Sequence, residues 1–187
     1  MKVLVIETGV DGTLSVQLGA DSAVLRPGEP VFVPEPPDDW HSRVMPAVRI
    51  SRLGMHISEA NASRHFDSIS LFHVMTPAAN DGTIPYGMID RTFSPGEWLP
   101  AADFAQAEWE VSRAKIGNIP DSGIKNVFSL DKLGIHAIIS RLSRLATFRT
   151  GDVLLFADAA VDLGSPVLDT CVEARIADRT ILNIRIK

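Results

Sequence analysis

The sequence predicts an α+β domain that is mainly β, and three observations carry the prediction. Several segments alternate apolar and polar residues at period two, T-L-S-V-Q-L at 13–18 and A-E-W-E-V-S-R-A-K-I at 107–116 among them, which is the spacing of a strand with one buried side. Six prolines between positions 27 and 46 exclude helix there, because proline lacks the backbone N–H and fixes φ. Only 131–146 carries a long apolar stripe at helical spacing, with Leu133, Ile135, Ile138, Ile139, Leu142 and Leu145 on one side.

In chain order, Val3 to Ile6 is the first strand, and G-V-D-G at 9–12 turns into T-L-S-V-Q-L. Within the proline-rich passage, V-F-V at 31–33 is apolar and β-prone, so a short strand is expected there. Residues 43–51 form the next strand, bulged at Pro46, and Ser58 caps a short helix, E-A-N-A-S-R-H-F. D-S-I-S-L-F-H-V-M-T at 67–76 is a strand, followed by a loop from Pro77 to about Pro95. P-A-A-D-F is one helical turn, and the strand 107–116 ends in a turn at N-I-P-D-S-G. Ser129 is the expected N-cap of the main helix, Asp131 to Ala146. R-T-G-D ends it, V-L-L-F at 153–156 is a buried strand, and 167–176 with 180–186 closes the chain as a hairpin around A-D-R. The reading is one domain over 1–187, with one substantial helix and one or two short ones.

Composition narrows the function. An apolar content of 45% and a charged content of 22% are globular values. The net charge of −5 argues against nucleic acid as a partner, since that would favour a basic face. M-K-V-L-V-I-E is broken by Glu7 and reads as a strand, not a signal peptide. No apolar run approaches the roughly 20 residues of a membrane span. The lone cysteine, Cys171, forms no internal disulfide and is expected to be a buried apolar residue of a cytoplasmic protein.

D-S-A-V-L (21–25), P-V-F-V-P (30–34), A-V-R-I-S-R-L-G-M-H-I-S-E-A-N-A-S-R-H-F-D (47–67), G-E-W-L-P (96–100) and R-L-A-T-F-R-T-G-D-V-L-L-F (144–156) together resemble the fumarylacetoacetate hydrolase family. The ending I-L-N-I-R-I-K is similar to that family's last strand. The resemblance covers residues 21–187, with a divergent, shortened segment before it, and implies a mixed β-roll. Family members hydrolyse acylpyruvates or carry out related decarboxylations and isomerisations with Mg²⁺ or a similar ion.

Set against the family's H-x-E-x-E motif, the chain has His41, Arg43 and Met45; the two glutamates there are metal ligands. The third ligand, an aspartate in G-x-D-x-T-A-R-D, matches Val74, with Thr76 kept and Ala78 in place of the arginine. The family lysine before a short F-D segment falls at about Gly87, and A-D-A-A-V-D at 157–162 replaces G-T-P-x-G. All three ligand positions lack a carboxylate. A hard divalent cation needs oxygen ligands, so no metal is expected at Arg43, Met45 and Val74, and no cofactor is predicted.

Arg43 has two readings: a salt-bridged filler where the metal was, or a guanidinium that forks a carboxylate ligand. His41 stands at the motif histidine. His73 is expected to be a satisfied core residue, His56 and His65 to flank a surface helix, and His136 to face solvent. Arg49 and Arg52 are expected on a solvated or interface face. Asp81, Asp90, Asp158 and Asp162 lie in loops that would surround the family's cleft. Three functions compete. The first is a non-catalytic relative that binds a small carboxylic acid or a protein, as a homodimer. The second is a metal-free hydrolase or decarboxylase of β-diketo acids, with His41 as base, Arg43 as anion clamp and Asp158 near them. The third is an interaction subunit for an active paralogue. No nucleic acid and no membrane is expected as partner.

Overall fold

The computed structural model describes residues 1–9, 11–78, 85–115 and 123–187, apart from the side chain of Phe128. Its strands are, in order, β1 (Val3–Thr8), β2 (Leu14–Gly19), β3 (Trp40–Ile50), β4 (Phe66–Pro77), β5 (Phe93–Pro95), β6 (Leu99–Pro100), β7 (Gln106–Lys115), β8 (Ile124–Ser129), β9 (Val153–Phe156), β10 (Val161–Asp162), β11 (Thr170–Ile176) and β12 (Arg179–Ile186). A larger sheet has the order β2-β1-β9-β3-β4-β5, with β10 beside β3 and β6 beside β4. A second sheet has the order β12-β11-β7-β8. The fold is α+β and mainly β, as the alternation predicts.

Burial explains the sequence of the larger sheet's central strands. One face, with Ile6, Val44, Val48, Ile69, Leu71 and Leu154, joins Trp109, Val111, Val172 and Ile184 of the second sheet in the main core. The opposite face, with Val3, Val5, Met45, Phe72, Val74 and Leu155, closes a smaller core with Ala23 and Phe93. Covered on both sides, V-L-L-F and L-F-H-V-M read as near-continuous apolar runs rather than alternating ones. β9 lies between β1 and β3, parallel to the first and antiparallel to the second.

Several local expectations are corrected. The helix α1 spans only Ile135–Ser143. Gly134 precedes it at φ +62°, a left-handed residue that a right-handed helix cannot run through, so the apolar stripe before it lies on turns. Ser129 therefore caps a turn, its Oγ accepting from Lys132 N at 3.4 Å. Glu59–Arg64 is a 3-10 helix, and Ser58 Oγ accepts from the Asn61 side-chain amide at 3.0 Å instead of capping the backbone. The β3 irregularity falls at Arg49/Ile50, not at Pro46. Pro46 faces Leu71, whose carbonyl turns away to Gly96 N at 2.9 Å, so the missing N–H interrupts no ladder. V-F-V makes an isolated parallel bridge from Val31 to Ile186 and no strand. The loop after Pro77 ends earlier than expected, in β5, and β8 went unforeseen. Most of N-I-P-D-S-G lies outside the described residues. Cys171 is half-buried, with Sγ 2.9 Å from Asn183 Oδ1, and burial pushes its thiol pKa up. Among the described residues no helix is long and apolar enough to cross a membrane.

Candidate functional site

The site forms where the small-core face of the larger sheet runs out of apolar residues. β3 and β4 are antiparallel with Arg43 opposite Val74 and Met45 opposite Phe72. Residues two apart on a strand share a face, as do directly opposed partners, so His41, Arg43, Met45 and Val74 all lie on that one face. Met45 and Val74 are fully buried; Arg43 and His41, nearer the strand's start, are half-exposed.

The hairpin β1–β2 brings two more polar groups to this end. Val5 pairs with Gln17, and Glu7 with Ser15, so Glu7 and Gln17 follow Val3 and Val5 on the same face. Gln17 Oε1 accepts from Tyr86 N at 2.7 Å, which fixes the loop before β5. The Tyr86 hydroxyl in turn accepts from Arg43 Nη1 at 3.0 Å. Glu7, Gln17, His41, Arg43, Thr76 and Tyr86 surround a polar cavity of about 280 Å³.

Asp162 supplies the neighbouring charge. It is paired with Arg43 across β10 and β3, with Oδ2 3.4 Å from Arg43 Nε and Oδ1 3.7 Å from His41 Nδ1. Its Oδ1 is held by Gly164 N at 2.7 Å. Neither contact to the basic nitrogens is a hydrogen bond: Arg43 Nε and His41 Nδ1 are buried atoms without a partner. Burial raises the Tyr86 phenol above its usual pKa, Glu7 and Asp162 add to the rise, and Arg43 opposes it.

No family sequence model matches the chain, and no curated protein does so by sequence. Solved structures do match. A protein described as belonging to the fumarylacetoacetate hydrolase family, from Yersinia pestis CO92, superposes with a TM-score of 0.77 at 18% identity, over 100% of this chain and 92% of its own. The fumarylpyruvate hydrolase of Pseudomonas aeruginosa, solved with Mn²⁺ and pyruvate, gives 0.76 at 14% identity over 100% and 89%. The 2-hydroxyhepta-2,4-diene-1,7-dioate isomerase of Mycobacterium marinum gives 0.77 at 17% over 99% and 73%. The chain has the fumarylacetoacetate hydrolase fold.

Arg43, Met45 and Val74, the positions that the sequence resemblance matches to the family's metal ligands, do not as a donor set fit a divalent ion. A guanidinium, a thioether and an isopropyl group offer no oxygen, and the last two are sealed among Phe72, Phe93 and Leu155. Gly87, which the resemblance matches to the family lysine, has no room for a side chain either. Gly87 sits at φ +65°, and a Cβ there would lie 2.4 Å from the Phe93 ring and 2.8 Å from Gly19 Cα.

The structure brings His41 and Arg43 together but not Asp158. Asp158 Oδ2 accepts from Thr8 N at 2.8 Å and caps the end of β1, outside the cavity lining; Asp162, four residues on, is the acid beside the two basic groups. Asp90 is exposed away from the cavity, and Asp81 lies outside the described residues. His73 is fully buried on the main-core face, with Nε2 2.7 Å from Ser42 Oγ, and burial pulls its pKa down to about 3. It is only half satisfied, because Nδ1 has no partner. His136 is half-exposed, with its ring 5.8 Å from that of Phe66. Arg49 is partly exposed, as expected, and also lies 4.9 Å over Trp98 and donates to Ser68 Oγ at 2.8 Å. Glu7, Gln17 and Tyr86 went unforeseen as site residues. The signals were the acid that breaks the first apolar run, the polar member of an alternating strand, and the chain's single tyrosine.

Proposed function

We propose that this chain binds a small carboxylic acid through Arg43, in a cavity where its structural relatives are hydrolases and isomerases, and that it does so without a divalent metal. One observation carries the reading: the Arg43 guanidinium, oriented by the Tyr86 hydroxyl at 3.0 Å, stands at the edge of a polar cavity. Arg presents a planar fork that matches a carboxylate and keeps its charge at any working pH. Calorimetric titration with Mg²⁺ and Mn²⁺, with and without pyruvate or oxalate, tests it. The expected result is no metal binding, together with carboxylate binding that Arg43→Ala weakens at least tenfold, the scale of about 1.5–3 kcal/mol for a charged hydrogen bond. Tight metal binding by the unmodified chain overturns the reading.

A second, enzymatic reading rests on the His41–Asp162 pair at 3.7 Å. A carboxylate close to an imidazole helps hold it in place for a general-base role. This reading predicts metal-independent turnover of a β-diketo acid that His41→Ala abolishes. Unchanged turnover in His41→Ala removes it.

A further inference from the structure

The charges around the cavity do not match a simple carboxylate alone. Building on the carboxylate-binding reading above, we propose that the ligand is a small zwitterion, an acid that also carries an ammonium group, with its carboxylate at Arg43 and its ammonium facing Glu7.

The charge balance favours that class. Glu7 lines the cavity, and Asp162 stands 3.4 Å from Arg43 Nε. Among the described residues, the carboxylates of Glu7 and Asp162 stand around the one guanidinium of Arg43. A plain acid would add a further carboxylate beside Glu7 with no cation of its own to offset it. A zwitterion adds no net charge and gives each of its groups an opposite partner.

The hydrogen-bond inventory supplies the carboxylate half. Arg43 Nε and His41 Nδ1 are buried nitrogens without a hydrogen-bond partner. Both atoms are sealed from solvent, so a ligand carboxylate is met by the outer nitrogens of the Arg43 guanidinium, one of which donates to the Tyr86 hydroxyl. Asp162 comes close but is tethered by Gly164 N at 2.7 Å. The Tyr86 oxygen already accepts from Arg43 at 3.0 Å, which leaves its own proton to donate to a ligand carboxylate.

Glu7 supplies the ammonium half. Among the described residues it has no ion pair, and it lines the same cavity as Tyr86 and Arg43. The cavity, at about 280 Å³, is at the lower limit of ligand pockets, which run from roughly 300 Å³ upward. That suits a molecule the size of a small amino acid rather than a long acyl chain.

Calorimetry with paired ligands tests this. Alanine is compared with propionate, and 4-aminobutyrate with butyrate, in the unmodified chain, Glu7→Gln and Arg43→Ala. In at least one pair the ammonium-bearing member is expected to bind at least tenfold tighter. Glu7→Gln should cut that preference to threefold or less and leave binding of the plain acid in place, while Arg43→Ala weakens both. Glu7 is exposed, and an unchanged thermal midpoint confirms that its variant folds; Asp162→Asn, at a half-exposed position, offers a second neutralisation on the same side. Plain acids that bind as well as their ammonium counterparts, or a preference that survives Glu7→Gln, overturn the zwitterion inference alone. No binding of either class overturns the carboxylate reading and this inference with it.

Discussion

Arg43 and Val74 stand directly opposite each other across β3 and β4, the first half-exposed at a polar cavity and the second sealed in the small core. Directly opposed residues hold their Cβ atoms about 4.5–5.5 Å apart, close enough for two carboxylates to share one cation. Here the same two positions mark a boundary. On one side Glu7, Gln17 and His41 keep the sheet wet; on the other Met45, Val74 and Phe72 keep it dry.

That boundary makes reinstating a ligand costly. Met45→Glu would place a carboxylate at a fully buried position among Val5, Phe72 and Val74. Burying an uncompensated charge destabilises strongly, so a loss of about 3 kcal/mol or more in urea unfolding is expected. Millimolar Mn²⁺ should not recover it, because Arg43 and Val74 supply no further oxygen. Recovery by Mn²⁺ would show that the neighbouring positions can still assemble a metal site.

Gly87 gives the same test at a second position. Its φ of +65° and the contacts a Cβ would meet, 2.4 Å from Phe93 and 2.8 Å from Gly19 Cα, leave no room for a side chain. Gly87→Lys is expected to destabilise by about 2 kcal/mol or more, from overpacking together with a left-handed backbone. Thermal unfolding reads the effect; an unchanged midpoint would mean that the 85–93 loop can move away from β2.

Much of this was legible in the sequence, for reasons that separate local signals from tertiary ones. The alternation in β2 and β7 and the apolar runs of β4 and β9 carry their own partners' imprint, so those strands read correctly. The helix read too long because a stripe of Leu133, Ile135 and Ile138 persists on both sides of Gly134, and only its φ of +62° shows the break. β8 is defined by pairing with β7, and I-K-N-V-F-S carries little alternation of its own. At the site, His41 and Arg43 were visible because one strand holds both. Glu7, Gln17 and Tyr86 come from distant segments and meet only through the hairpin register and one backbone hydrogen bond. Asp158 and Asp162 are interchangeable in sequence; the 3-10 turn at Ala157–Ala159 and the β10–β3 pairing decide which faces Arg43.

Asp152 is a second group whose role needed tertiary structure. Its buried carboxylate accepts from Lys2 N and Arg149 N, each at 2.8 Å, and lies 3.4 Å from Lys2 Nζ. It thereby ties the start of β1 to the turn before β9, next to the Val3–Val153 pair that opens their parallel register. Asp152→Ala leaves two backbone donors unmet, so a loss of about 3 kcal/mol in urea unfolding is expected. Asp152→Asn, which retains one acceptor oxygen, should lose less. Equal losses would mean that the charge, not the hydrogen bonds, does the holding.

Burial of His73 couples the stability of the fold to acid. Its ring is fully buried against Ser42 Oγ at 2.7 Å, and burial lowers its pKa to about 3 from an ordinary 6.5. Between those values the unfolded chain takes up a proton that the folded chain refuses. The contribution is therefore complete above pH 6.5 and is lost as pH falls toward 3, at up to about 1.4 kcal/mol per pH unit. Carboxylates that are paired in the fold act in the same direction, so a variant must isolate the histidine. Replacing both partners, His73→Leu with Ser42→Ala, removes the titration without leaving an orphaned hydroxyl. Urea unfolding at pH 6.5 and pH 5.0 should show the unmodified chain losing about 2 kcal/mol more than the double variant. Parallel losses in the two would place the acid sensitivity elsewhere and mean that His73 can be protonated inside the fold at pH 5.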